Sequence, residues 1–218
     1  MSALLSIKNL RAQYKKGGEV VFSNLRLETQ TGKATALLGP NGCGKTTLIA
    51  VLAGLIPNFS GEIFFQGRPW TREALRHVAF VFDRAGFPPF MNATSLLRFF
   101  SKLYGIDNGV QRAHEMLELA GLQGVKKPYF QYSQGMRQRL AMALAVLKGP
   151  RLLILDEGLT FIDRTNKERM IENLKTQMAK GHLSILLATH SHEECRRLAD
   201  EVLNFNELVE TTERCFQK

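Results

Sequence analysis

A mainly parallel α/β fold is what this sequence of 218 residues predicts, and three observations carry the expectation. The apolar run Ala34-Thr35-Ala36-Leu37-Leu38 breaks into a glycine-rich turn and continues as a helix-like stretch, Thr47-Leu48-Ile49-Ala50-Val51-Leu52. A second apolar run, Leu152-Leu153-Ile154-Leu155, ends in two acids, as expected of a strand buried on both faces. Strand-like and helix-like stretches alternate around these two, with a helical middle from about 83 to 147.

Taken in order, the N-terminal stretch reads as β. Leu4-Leu5-Ser6-Ile7 and Val20-Val21-Phe22 are short apolar runs, and Leu25-Arg26-Leu27 alternates before the turn at 30–33. The helix after the glycine-rich turn should end near Gly54, with Pro57 beyond it. Gly61–Gly67 reads as a strand closed by a turn, and Val78–Phe82 as a third buried strand. Helical spacing then dominates over Ser95–Tyr104 and again over Met116–Ala120, just before Gly121. Strand signals return after Pro150. A helix is expected over Arg164–Lys180 with Gly181 as its stop, a strand over Ser184–Ala188 and a last helix near Glu193–Ala199.

Composition narrows the class. With 44% hydrophobic and 22% charged residues the chain is an ordinary globular protein. The net charge of +9 is spread in pairs such as Lys15-Lys16 and Arg196-Arg197, so no basic arm is present; a polyanion ligand, an anionic membrane face, nucleic acid or a merely solvated basic surface all fit. Cys43, Cys195 and Cys215 show no metal or disulfide spacing, which points to a reduced setting. No run approaches the ~20 apolar residues of a membrane span.

Gly39-Pro40-Asn41-Gly42-Cys43-Gly44-Lys45-Thr46 is a complete phosphate-binding loop between strand and helix. Its glycines let backbone N–H groups converge on phosphate oxygens, and the helix N-terminus favours the anion. Lys45 is expected on the β- and γ-phosphates and the Thr46 hydroxyl on Mg²⁺, with Thr47 next in the helix. At the end of the 152–155 strand, Asp156 is expected to hold Mg²⁺ and Glu157 to orient or deprotonate an attacking water. Ser133 before the apolar helix Ala141–Leu147 reads as an N-cap, and Gly135 as a place where another backbone comes close.

These blocks, in this order, resemble the ATP-binding subunit of an ABC transporter over almost the whole chain: the P-loop, the Tyr132-Ser133-Gln134-Gly135-Met136 segment, the Leu152–Glu157 strand and Thr189-His190. The resemblance implies a P-loop NTPase core with a mainly parallel sheet, an N-terminal antiparallel β subdomain and an inserted helical subdomain. It divides one ABC ATPase domain, 1–218, into core and β parts at about 1–82 and 148–218, with a helical subdomain at about 83–147. It makes Tyr14 the aromatic that stacks on adenine, and Ser133 and Gly135 the residues that touch the γ-phosphate held by an opposite subunit. Glu157 becomes the catalytic base, Asp163 the aspartate of the following loop and His190 a second γ-phosphate contact. Tyr14 as an ordinary strand aromatic and Asp163 as a helix cap stand beside those readings.

The sequence also departs from the family pattern. Asp83 occupies the position of a usual glutamine and is expected to hold Mg²⁺ or water through its carboxylate, with a shorter reach and a different charge; Gln134 and Met136 alter the signature, and Gly158 replaces a proline. The segment 96–106 and the Ser-Gln-Gly-Met-Arg-Gln-Arg run look most like the exporter-type subfamily, which includes multidrug-export and haem-exporter-like ATPases. The implied function is ATP and Mg²⁺ binding and ATP hydrolysis, powering export through separate transmembrane permease subunits. The implied partner is a second copy or a related subunit, and the location is the cytoplasmic face of a membrane. The alternatives are a soluble ABC-type ATPase acting on nucleic acid or ribosomes, and a regulatory assembly ATPase. The apolar cluster Phe87-Pro88-Pro89-Phe90-Met91 suits a membrane partner's helix or simple packing on the helical part.

Overall fold

A computed structural model describes residues 3–82 and 86–209. The chain forms two compact units, Met1–Arg76 with Ser184–Lys218, and His77–Leu183. The result is a mixed α/β protein with parallel pairing around the phosphate-binding loop and a separate antiparallel sheet.

In the first unit, β1 (Ala3–Gln13), β2 (Val20–Gln30), β4 (Phe59–Phe65) and β5 (Arg68–Pro69) form the antiparallel sheet, ordered β2-β1-β4-β5. Leu5, Ile7, Leu10 and Ala12 of β1 are buried, and the register slips after Ile7. Asn9 is the extra residue: its φ of 51° lets the strand bulge and returns Leu10 to the core. Gly61, at φ 110°, lies so close to this bulge that a Cβ there would meet the Asn9 carbonyl oxygen at 2.6 Å. Gln66 and Gly67, both at positive φ, make the two-residue turn into β5.

The same unit holds β3 (Ala34–Leu38), which pairs in parallel with β8 (Ser184–Thr189) on one side and β9 (Glu201–Asn204) on the other. Both β3 and β8 are apolar and buried almost throughout, as expected of parallel strands covered on both faces. Helix α1 (Lys45–Leu52) follows the loop, and the Trp70 indole N–H donates to the Leu52 carbonyl at its last turn.

The second unit carries most of the helix. Its β6 (Val78–Val81) and β7 (Leu152–Asp156) pair in parallel, with β7 buried at all five positions. Helix α2 (Ala93–Leu103) starts two residues before the apolar spacing suggests, because the Asn92 side chain caps it by accepting from Ser95 N–H. Helix α3 (Gly109–Ala120) is longer than the expected Met116–Ala120; in its first turns Ala113 is the one buried residue, a small side chain that extends the 116–120 face weakly. Helix α4 (Gln134–Leu147) is buried on nearly every side from Gln138 onward. Helix α5 (Arg164–Ala179) ends with Lys180 as C-cap and Gly181 left-handed at φ 71°. In the first unit the last helix, α6 (His192–Leu198), is capped by Ser191.

Candidate nucleotide site

In the first unit, the loop from Gly39 to Gly44 joins β3 to α1 with Gly42 at φ 79° and Gly44 at φ 113°. Left-handed backbone at both points needs glycine. Gly44 is required for a second reason. A Cβ there would come within 3.2 Å of both the Phe22 and Phe205 rings, which meet edge to face behind the loop. Gly39 is likewise close-packed, with Cys43 Sγ and Phe205 Cβ at 3.0 and 3.3 Å from a notional Cβ. Phe205, fully buried, therefore braces the loop from the far end of the sequence.

Lys45 is buried, and its ammonium donates to the Gly39 and Pro40 carbonyls at 2.8 and 2.9 Å, with Cys43 Sγ at 3.7 Å. The positive charge is thus held inside the loop's curve. The Thr46 side is exposed and Thr47 is buried; the Thr47 hydroxyl shares a 2.8 Å hydrogen bond with the Tyr14 hydroxyl. Tyr14, 64% exposed, is tethered by its tip and leaves its ring face open to solvent. His190 follows β8, whose Thr189 is in register with Leu38 and accepts from Gly39 N–H through its carbonyl. The structure therefore brings Tyr14, the loop, Lys45 and the His190 turn together in one unit. Thr189 Oγ1 donates to the buried Glu194 carboxylate at 2.9 Å and accepts from Ser191 N–H, which fixes the backbone after His190.

In the second unit, Ser133 caps α4, accepting from Met136 N–H at 3.3 Å, and stays exposed while the helix body is buried. The Tyr132 hydroxyl accepts from Ala93 N–H at 2.9 Å and so ties the start of α4 to the start of α2. Gly135 does let another backbone approach: a Cβ would lie 2.5 Å from the Phe161 carbonyl oxygen. Asp156 ends β7 buried, and Glu157, half-buried, turns the chain at φ 52°. Left-handed backbone costs a non-glycine residue roughly 1–2 kcal/mol. Glycine at 158 suits that turn, because a proline there would drive residue 157 toward extended backbone.

Asp163 is the N-cap of α5. It accepts from the Asn166 backbone and side-chain N–H groups at 2.9–3.1 Å, and these bonds hold its carboxyl below the ordinary value, helped by Arg139. Arg139 is buried and donates to the Ala120 and Gly121 carbonyls at the end of α3; burial pulls its pKa down, and the charge of Asp163 opposes that. Among the described residues no group of three or more metal-ligating side chains occurs. Asp83 lies outside the described residues.

Sequence reasoning gave no bracing role to Phe205, Tyr132, Gln138 or Arg139. For the last two a signal existed: polar residues on the buried face of an otherwise apolar helix need partners.

Residues 22–160 match the protein family described as ABC transporter. The lantibiotic transport ATP-binding protein SrtF of Streptococcus pyogenes is 31% identical over 198 residues, covering 90% of this chain and 84% of that protein. The taurine import ATP-binding protein TauB of Escherichia coli is 35% identical over 204 residues, covering 92% and 78%. The Nod factor export ATP-binding protein I of Cupriavidus metallidurans is 36% identical over 208 residues, covering 93% and 68%. Import and export both occur in these names. A solved ATP-binding subunit of an ABC transporter superposes with a TM-score of 0.82 at 26% identity, covering 93% of this chain and 85% of that one. A dimeric ATP-binding cassette in a post-hydrolysis state, bound to ADP and Pi, has the same fold, with a TM-score of 0.82 at 23% identity over 95% of this chain and 97% of its own.

Proposed function

This chain belongs to the ABC transporter family as an ATP-binding, ATP-hydrolysing subunit, and from that premise we propose that it powers export through separate transmembrane subunits by ATP-driven closure of a dimer. The chain is read as one ABC ATPase domain whose helical subdomain spans about 83–147. Two copies, or this chain and a related subunit, sandwich two ATP molecules, each P-loop facing the other copy's Ser133.

The observation that supports this most is the outward helix end of α4. Its body is buried, yet its Ser133-capped N-terminus is exposed, which is the surface a phosphate from another chain would need. Within one chain, Tyr14 takes the adenine, the loop 39–47, through its N–H groups beyond Pro40, and Lys45 take the phosphates, and His190 reaches the γ-phosphate. From the other chain, Ser133 and Gly135 complete the γ-phosphate contacts, with Asp163 at the same interface. Glu157 accepts a proton from the attacking water.

The Thr46 hydroxyl and the Asp156 carboxylate are hard oxygen donors of the chemistry Mg²⁺ takes, an ion held by few protein ligands together with substrate phosphates. Asp83 is proposed with them. Bound there, the ion would neutralise charge on the phosphates. Among the described residues no helix is long and apolar enough to cross a membrane. A peripheral position on the cytoplasmic membrane face, reached through a permease, is part of the proposal. Exposed Phe90, Phe99, Leu103, Tyr104 and Phe130 in the second unit supply an apolar surface for that partner. Export is preferred to import on the exporter-like 96–106 segment and Ser-Gln-Gly-Met-Arg-Gln-Arg run; ATP-driven substrate accumulation inside inverted vesicles is expected, and depletion would reverse the direction.

The decisive variant is Glu157→Gln. Turnover should vanish while ATP converts the protein to a dimer seen by light scattering. Undiminished turnover would remove Glu157 from the base role, and a monomer at saturating ATP would remove the sandwich.

A further inference from the structure

One buried side chain touches the machinery without belonging to any role assigned above. Gln138 is 6% exposed, one turn beyond Gly135 on α4. Its amide Nε2 donates to the Glu157 carbonyl at 3.0 Å, and its Oε1 accepts from Phe161 N–H at 3.0 Å. The Glu157 carbonyl also accepts from the Thr160 hydroxyl at 3.1 Å. A terminal amide offers a donor and an acceptor in fixed opposite directions, and both are used here. The Phe161 peptide is thus gripped twice by α4: its N–H by Gln138, its carbonyl pressed against Gly135.

Glu157 needs such a grip. At φ 52° it sits in a conformation that a non-glycine residue keeps only when its surroundings impose it. The backbone conformation of residue 157 sets the direction in which its carboxylate leaves the chain.

The geometry points to Gln138 as a positioning residue that holds the Glu157 peptide and so aims its carboxylate. This rests on the proposed function above. It also adds a link: Ser133 and Gln138 lie on one rigid helix, roughly 7–8 Å apart along its axis at the usual rise per residue. The helix end that meets one nucleotide is the same body that sets the base for the other. Closure on one ATP would therefore register the base of the second site without any further moving part.

The test uses the intact protein with Gln138→Leu, which removes both hydrogen bonds at similar volume, and Gln138→Glu, which keeps the acceptor and removes the donor. A misaimed base costs about 100-fold in kcat, since misplacement by ~1 Å is worth that much, while the KM for ATP and ATP-dependent dimerisation stay as in the wild type. Gln138→Glu should fall between wild type and Gln138→Leu. If Gln138→Leu fails to fold, Gln138→Glu carries the same kcat-against-KM comparison. Wild-type kcat in the folded variants overturns the inference, and so does a loss that appears in KM. Glu157→Gln run in parallel separates the two claims: if it abolishes turnover while the Gln138 variants keep theirs, the base stands and only the positioning role falls.

Discussion

Replacing Gly135 by alanine puts the closest backbone contact in the second unit to the test. The added Cβ would stand 2.5 Å from the Phe161 carbonyl oxygen, where ordinary contact begins at 3.4 Å, so the two backbones must part by 0.9 Å. Rotamers give no escape, because both partners are main chain or Cβ. Crowding of this kind costs about 1–3 kcal/mol. Alanine in a helix recovers about 1 kcal/mol relative to glycine. The net loss is about 0–2 kcal/mol, or a Tm lowered by roughly 0–8 °C for a chain of this length. Catalysis should suffer far more. Phe161 and Glu157 are tied to the same helix, so a shift near 1 Å is worth about 100-fold in turnover. Gly124→Ala is the comparator: it is left-handed at φ 72° with open space for a Cβ, so it costs roughly 1–2 kcal/mol of stability and leaves turnover alone. Thermal unfolding and steady-state ATPase on both variants decide it. Gly135→Ala with wild-type turnover, or loss of turnover in both variants in proportion to Tm, would refute the reasoning.

Two further expectations follow from particular contacts. Tyr14→Ala should raise the KM for ATP by about 5- to 100-fold, the worth of one base stacked on an aromatic ring, with kcat unchanged; Tyr14→Phe, losing only the Thr47 hydrogen bond, should cost at most about tenfold. An unchanged KM in Tyr14→Ala removes the adenine from that ring. Asp163 is held below its ordinary value of 3.8 by its bonds to Asn166, so its contribution to stability is present above that value and is lost as pH falls through the lower folded value. The Tm gap separating wild type from Asp163→Ala should therefore be full near neutrality and close in acid below about pH 4. A gap that persists unchanged at low pH contradicts the charged cap.

Much of this protein was legible residue by residue, wherever the signal is local. The strand at 34–38, the glycine-rich loop, the Ser133 cap, the apolar strand into Asp156 and the stop at Gly181 each depend on neighbours a few positions away. Apolar runs, caps and left-handed glycines are short-range chemistry, and they report themselves in order along the chain. They also sufficed for the family resemblance, since its motifs are those same segments.

What only the tertiary structure decided is why several of those residues are what they are. Gly44 is glycine because Phe22 and Phe205 close behind it, and Gly135 because the Phe161 carbonyl lies against it. Gln138 is an amide because two peptide groups 19 and 23 positions away face it from opposite sides. Such contacts depend on how distant segments pack, and no local periodicity encodes the partner of a buried polar group. The chain spelled out the parts that meet phosphate; folding chose the parts that hold them still.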